Sequence, residues 1–133
     1  MKNIEVVAAI IVNLDQVLCV QRGRSKYTYI SEKYEFPGGK VEIAETQQNA
    51  LIREIQEELS LAIEVGEKYM TVEHRYPDFS ITMHAYLCRC AERTLILHEH
   101  IDYKWLSASE LKGLDWAAAD IPIVNKFAEN PSC

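Results

Sequence analysis

The chain has 133 residues, 48% of them apolar and 26% charged, which is the makeup of a globular domain and excludes a disordered or low-complexity chain. Fourteen basic residues stand against twenty acidic ones, a net charge of −6, so a nucleic-acid polymer is not expected as a ligand; such proteins carry a basic face. No apolar run approaches the ~20 residues that a membrane helix requires, and stretch 6–12, behind Lys2 and Glu5, lacks the layout of a secretory signal. The four cysteines (Cys19, Cys88, Cys90 and Cys133) are too few for a disulfide framework and read as reduced thiols of a cytoplasmic protein.

Residues 4–12 form a long β-prone run and 17–21 a second one, with Asn13-Leu14-Asp15-Gln16 suited to a hairpin turn between them. Stretch 22–33 is polar and reads as a loop. Tyr34-Glu35-Phe36 is a short extended piece halted by Pro37-Gly38-Gly39. The clearest helix spans 46–59, with Thr46 as N-cap and an apolar stripe of Leu51, Ile52, Ile55 and Leu59. Strands are expected at 69–73 and 81–90, with Pro77-Asp78 in the turn, and at 101–106. Ser107 and Glu110 have capping-box spacing and should open a short helix. Asp120-Ile121-Pro122 should start a last helix, with proline in its first turn. Strands at both ends of one long helix predict an α+β or mixed α/β fold, a single domain over 1–133.

The polar face of the long helix is unusual. With about 100° per residue and Arg53 at zero, Glu57 falls near 40°, Glu54 near 100° and Glu58 near 140°. These like charges at i,i+3 and i,i+4 repel by a few tenths of a kcal/mol per pair, offset within the helix only by Arg53. Such a cluster is either a solvated face or a site for a hard divalent cation. In the second case carboxylate oxygens hold the ion and one of them deprotonates a water. Just upstream, Pro37-Gly38-Gly39-Lys40 lets the backbone turn tightly and bring a carbonyl close to a ligand.

Written out, the segment is Gly39, five residues, Glu45, seven residues, then Arg53-Glu54-Ile55-Gln56-Glu57-Glu58-Leu59-Ser60-Leu61. It resembles the signature of the Nudix hydrolases, Gly-x5-Glu-x7-Arg-Glu-U-x-Glu-Glu-x-Gly-U with U bulky and aliphatic. Every defined position matches except Ser60, which stands where the family has glycine. Glycine after a helix adopts the left-handed conformation without strain, so Ser60 there should cost about 1 kcal/mol and leave the chemistry intact.

The resemblance implies an α/β/α sandwich with a mixed sheet and hydrolysis of nucleoside diphosphate-linked compounds with Mg²⁺ or Mn²⁺. By position it makes Glu57 and Glu58 metal ligands, with the Gly38 carbonyl. Glu54 would be general base or a further ligand. Arg53 would orient the glutamates, and Glu45 would be a buried salt-bridging residue. The run at 6–11, the segment Tyr34 to Lys40 and Ala119-Asp120-Ile121-Pro122 look like the MutT-like branch, which converts nucleoside triphosphates to monophosphate and pyrophosphate. Within that branch the likeness is to enzymes acting on cytosine and modified-cytosine nucleotides. Arg22 and Lys40 match basic positions near the triphosphate, Glu35 sits among the substrate-binding positions, and Glu99 matches an outlying carboxylate of the metal site. Residues i and i+2 of His98-Glu99-His100 make a poor tetrahedral zinc set. Asp120 matches the position facing the base; a carboxylate accepts hydrogen bonds, which favours the N4 amine of cytosine, although a protonated Asp would donate. Its alternative role is to cap the helix starting at Ile121. Other Nudix substrates (oxidised purine nucleotides, ADP-ribose, nucleotide sugars) and a non-catalytic nucleotide sensor are the rival readings. The expected partner is a small nucleotide, with no membrane, for a monomer or homodimer.

Overall fold

The computed structural model describes residues 2–129. Its strands are β1 (Asn3–Asn13), β2 (Gln16–Gln21), β3 (Tyr34–Glu35), β4 (Gly38–Lys40), β5 (Glu64–Arg75), β6 (Ser80–Arg89) and β7 (Asp102–Leu106), with helices α1 (Gln47–Leu59) and α2 (Ile121–Glu129). Short 3-10 turns cover Ala108–Gly113, with the Ser107/Glu110 capping box formed, and Ala118–Asp120. Strands run in the order β3-β2-β1-β6-β5, with β4 on β1 and β7 on β2. Among the described strands only β1 and β6 pair in parallel, so the sheet is mixed, as expected.

β1 is apolar on both faces because both are covered. Val7, Ala9 and Ile11 pack with Leu51, Ile55 and Leu59 of α1. Ala8 and Ile10 face the opposite way, toward Ile123, Val124 and Phe127 of α2. Each of the larger of these side chains contributes roughly 1.5–3 kcal/mol of burial. The result is an α/β/α sandwich. No helix among the described residues is long and apolar enough to cross a membrane. Cys19 and Cys88 are buried free thiols and Cys90 is partly buried; Cys133 lies outside the described residues.

The turn after β1 places Leu14 and Asp15 at φ 51 and 62, the twist that a two-residue hairpin requires. The main departures from expectation concern β4 and β5. Gly38–Lys40 continues as a strand on Val6–Ala8 instead of turning, and no glycine has positive φ. Glycine is required there by space: a Cβ on Gly38 would overlap the Val7 carbonyl, and one on Gly39 the Glu54 carboxylate. β5 is longer than its apolar core at 69–73 because cross-strand bonds to β6 extend it through polar residues, past register shifts near Lys68.

β1 therefore changes partner along one edge, from β2 at Val12–Asn13 to β4 at Val6–Ala8. The Ala9 N–H bridges the gap to the Pro37 carbonyl at 2.8 Å. Beside this divergence lies a cavity of about 730 Å³ lined by residues of β1, β4, α1 and the segment before α2.

Candidate active site

One end of the cavity is acidic. Glu54 and Glu58, one turn apart on α1, line it together with Glu99, Glu35 and Gly38. Glu58 is only 6% exposed. On the helical wheel it lies about 20° from Leu51, so it shares the edge of the apolar stripe; Ile52, on the other edge, is 43% exposed. A solvated glutamate face is thus the wrong description of Glu58. Burial, then the charges of Glu54, Glu35 and Glu99, push its carboxyl up to about 9. Glu54 is also raised, by burial first, with Arg53 opposing.

Glu58 Oε1 is buried with no hydrogen-bond partner. An unsatisfied buried oxygen costs about 1–3 kcal/mol, and a hard cation is the partner that an all-oxygen, acidic wall would accept. The described residues contain no preformed cluster of three or more His, Cys, Asp or Glu ligands. Glu57 stands apart. Its side chain is 59% exposed, donates nothing to the cavity wall, and accepts from Arg53 Nη1 at 3.0 Å.

Arg53 is a hub. Its Nε and Nη2 fork onto Glu45 at 2.6 and 2.9 Å, Nη2 also reaches the Lys40 carbonyl at 3.2 Å, and Nη1 lies 3.4 Å from Glu54. The hydrogen bond from Arg53 holds the Glu45 carboxyl below its usual range. Arg53 thereby ties α1 to β4 and to the loop before the helix, well beyond a single surface ion pair. Lysine cannot fork onto a carboxylate. Arg53→Lys should lower kcat by ~10-fold, the usual cost of losing a group that orients the reacting ones; steady-state kinetics at saturating metal checks this.

The other end of the cavity is apolar, with Phe36, Ile81, Met83 and Tyr76 among its walls. Phe36 stacks on Trp116 at 4.8 Å between centroids. Asp120, 4% exposed, closes this end. Its Oδ1 accepts from the Phe36 N–H at 3.1 Å, so the carboxyl ties the segment after β3 to the start of α2 rather than capping the helix. Complete burial, and next the Glu35 charge, raise its pKa well above the carboxylate range, against the Phe36 amide and Arg22.

Glu35 lies between the two ends. Arg22 Nη1 holds its Oε1 at 3.2 Å and His100 Nε2 its Oε2 at 3.0 Å. It is thus an organiser of neighbouring side chains. Lys40 and Arg22 line the cavity. A side chamber of about 350 Å³ shares Arg22, Glu35, Gly38, Glu58 and Glu99 and adds His100. His100 is a residue that sequence reasoning noticed only as half of a poor zinc motif. Its ring faces Glu35 while that of His98 faces Ser60, at 2.8 Å, so the two diverge. Pairing across 65 positions is invisible in the linear sequence.

Residues 6–126 match the NUDIX domain family, and the chain belongs to that family. It is 39% identical to the CTP pyrophosphohydrolase of Escherichia coli (strain K12), over 96% of this chain and 93% of that protein. It is 30% identical to the 8-oxo-dGTP diphosphatase of the same organism, over 96% and 98%. The solution structure of the MutT Nudix hydrolase from methicillin-resistant Staphylococcus aureus 252 superposes with a TM-score of 0.74 at 44% identity, covering 97% of this chain and 98% of that one. The chain is accordingly an enzyme, a nucleotide pyrophosphohydrolase of a family that uses divalent metal ions.

Proposed function

We propose that the enzyme hydrolyses nucleoside triphosphates, those with cytosine or modified bases foremost, to the monophosphate and pyrophosphate with Mg²⁺ or Mn²⁺. The observation that carries this reading is one continuous cavity with a carboxylate cluster around the buried Glu58 at one end and an apolar slot closed by Asp120 at the other. A triphosphate bearing a base has that same division of charge. The cytosine preference is supported by the 39% identity to a CTP pyrophosphohydrolase.

Glu58, Glu99 and the Gly38 carbonyl would hold the ion, with Glu57 joining only after leaving Arg53. When bound, the ion neutralises phosphate charge and lowers the pKa of water. Glu54, raised by burial, is the general base: it takes a proton from the attacking water as the new P–O bond forms. The bond between phosphorus and the bridging oxygen breaks, and pyrophosphate leaves with the bonding electron pair. Arg22 and Lys40 supply positive charge beside the phosphates.

The test is a panel of canonical, methylated and oxidised nucleoside triphosphates, with direct detection of pyrophosphate and with chelator as control. Cytosine nucleotides should show the highest kcat/KM, and chelator should abolish turnover. Orthophosphate as the sole product without added pyrophosphatase, or full turnover in chelator, would overturn the reading.

A further inference from the structure

The one departure from the Nudix signature is Ser60, and it makes a contact that glycine could not. Ser60 follows α1 with φ 50 and ψ 42, the left-handed conformation that glycine occupies at lowest cost. Its Oγ and His98 Nε2 share a hydrogen bond of 2.8 Å. The backbone runs alongside: the Ile96 and His98 N–H groups donate to the Leu59 and Glu58 carbonyls at 2.9 and 3.0 Å, satisfying the open end of the helix. On the far side, His100 Nε2 lies 3.0 Å from Glu35 Oε2, and the Ile101 N–H donates to the Gln21 carbonyl at 3.0 Å. Glu99 sits between these two pinned histidines and lines both the main cavity and its side chamber.

We propose that Ser60 is a positioning residue. Through His98 it holds Glu99 against the acidic wall, so that Glu99 is in place when a divalent cation binds. The inference rests on Glu99 being one of the metal-holding carboxylates. A serine in the left-handed region is then retained at the expense of local strain for what its hydroxyl holds.

The experiment is calorimetric titration of the nucleotide-free protein with Mn²⁺, alongside thermal melting. Ser60→Gly relieves the backbone and removes the hydroxyl. It should melt no lower than wild type, yet bind Mn²⁺ about threefold more weakly. Ser60→Asn should restore wild-type affinity, because asparagine tolerates the left-handed region and its amide can reach the imidazole. In a Glu99→Gln background, itself weakened, Ser60→Gly should have no further effect. Loss of affinity of the same size in that background, or no loss in Ser60→Gly alone while Glu99→Gln is weakened, would overturn the role of Ser60. Unchanged affinity in Glu99→Gln would overturn the placement of Glu99 itself, and the inference with it.

Discussion

Glu58→Gln should lower kcat by at least ~10²-fold, the scale of losing a metal charge or a positioned base, and should leave the metal-free protein more stable than wild type at high pH. The sign follows from burial. An ordinary glutamate releases its proton near 4.5, whereas burial and three neighbouring carboxylates hold the Glu58 proton up to about 9. Between those limits the folded chain keeps a proton that the unfolded chain has given up, so wild-type stability falls as pH rises through the window. Glutamine has nothing to release and already resembles the protonated form. Melting curves in chelator from pH 5 to 9 should therefore converge at the acid end and separate toward the alkaline end. Saturating Mn²⁺ should remove the alkaline loss for wild type and do little for Glu58→Gln, because only a carboxylate exchanges its proton for a cation. Parallel melting curves would mean that Glu58 is not held protonated. Wild-type turnover in Glu58→Gln would mean that Glu58 neither holds the ion nor serves the reaction.

Asp120→Ala should reduce kcat/KM for cytosine nucleotides by ~1–3 kcal/mol, the worth of a specific polar contact to a base edge, while nucleotides without an exocyclic amine change little. The Phe36 N–H donates to Asp120 Oδ1, so alanine also orphans a buried amide. That adds a stability cost of about 1–3 kcal/mol, read separately by melting. Asp120→Asn is the sharper substitution. The amide oxygen can still accept from Phe36, and the amide nitrogen must then donate to the base. Because burial raises the Asp120 pKa well above the carboxylate range, the wild-type group donates at low pH and accepts at high pH. Preference for cytosine, which presents an N4 amine, should thus strengthen as pH rises. Preference for bases presenting a carbonyl at that edge should strengthen as it falls. Asp120→Asn should behave as the low-pH form at every pH. Equal loss for all triphosphates in Asp120→Ala at matched stability would mean that Asp120 does not read the base.

Much of this protein is legible in the linear sequence because its strongest signals are local. Periodicity alone places α1, and Thr46 caps it by accepting from the Asn49 N–H, as its position implies. The alternation of strand-formers and turn residues places β1, β2 and β6, and the spacing from Gly39 to Leu61 carries the family. Even the left-handed Ser60 follows from its place after the helix. What the sequence leaves open is set by contacts between segments far apart along the chain. Glu57 and Glu58 are neighbours in the sequence, yet packing buries one and leaves the other in solvent on Arg53. Gly38 and Gly39 look like a turn until β1 and Glu54 are seen to occupy the space of their missing Cβ atoms. Glu35 lines the cavity, and only the fold brings Arg22 and His100 onto its two oxygens. Asp120 reads as a helix cap until it meets the Phe36 amide, 84 positions away. A helix or a turn is decided by neighbours within a few residues. The protonation and partners of a buried carboxyl are decided by which groups the fold brings to it and how far it excludes water.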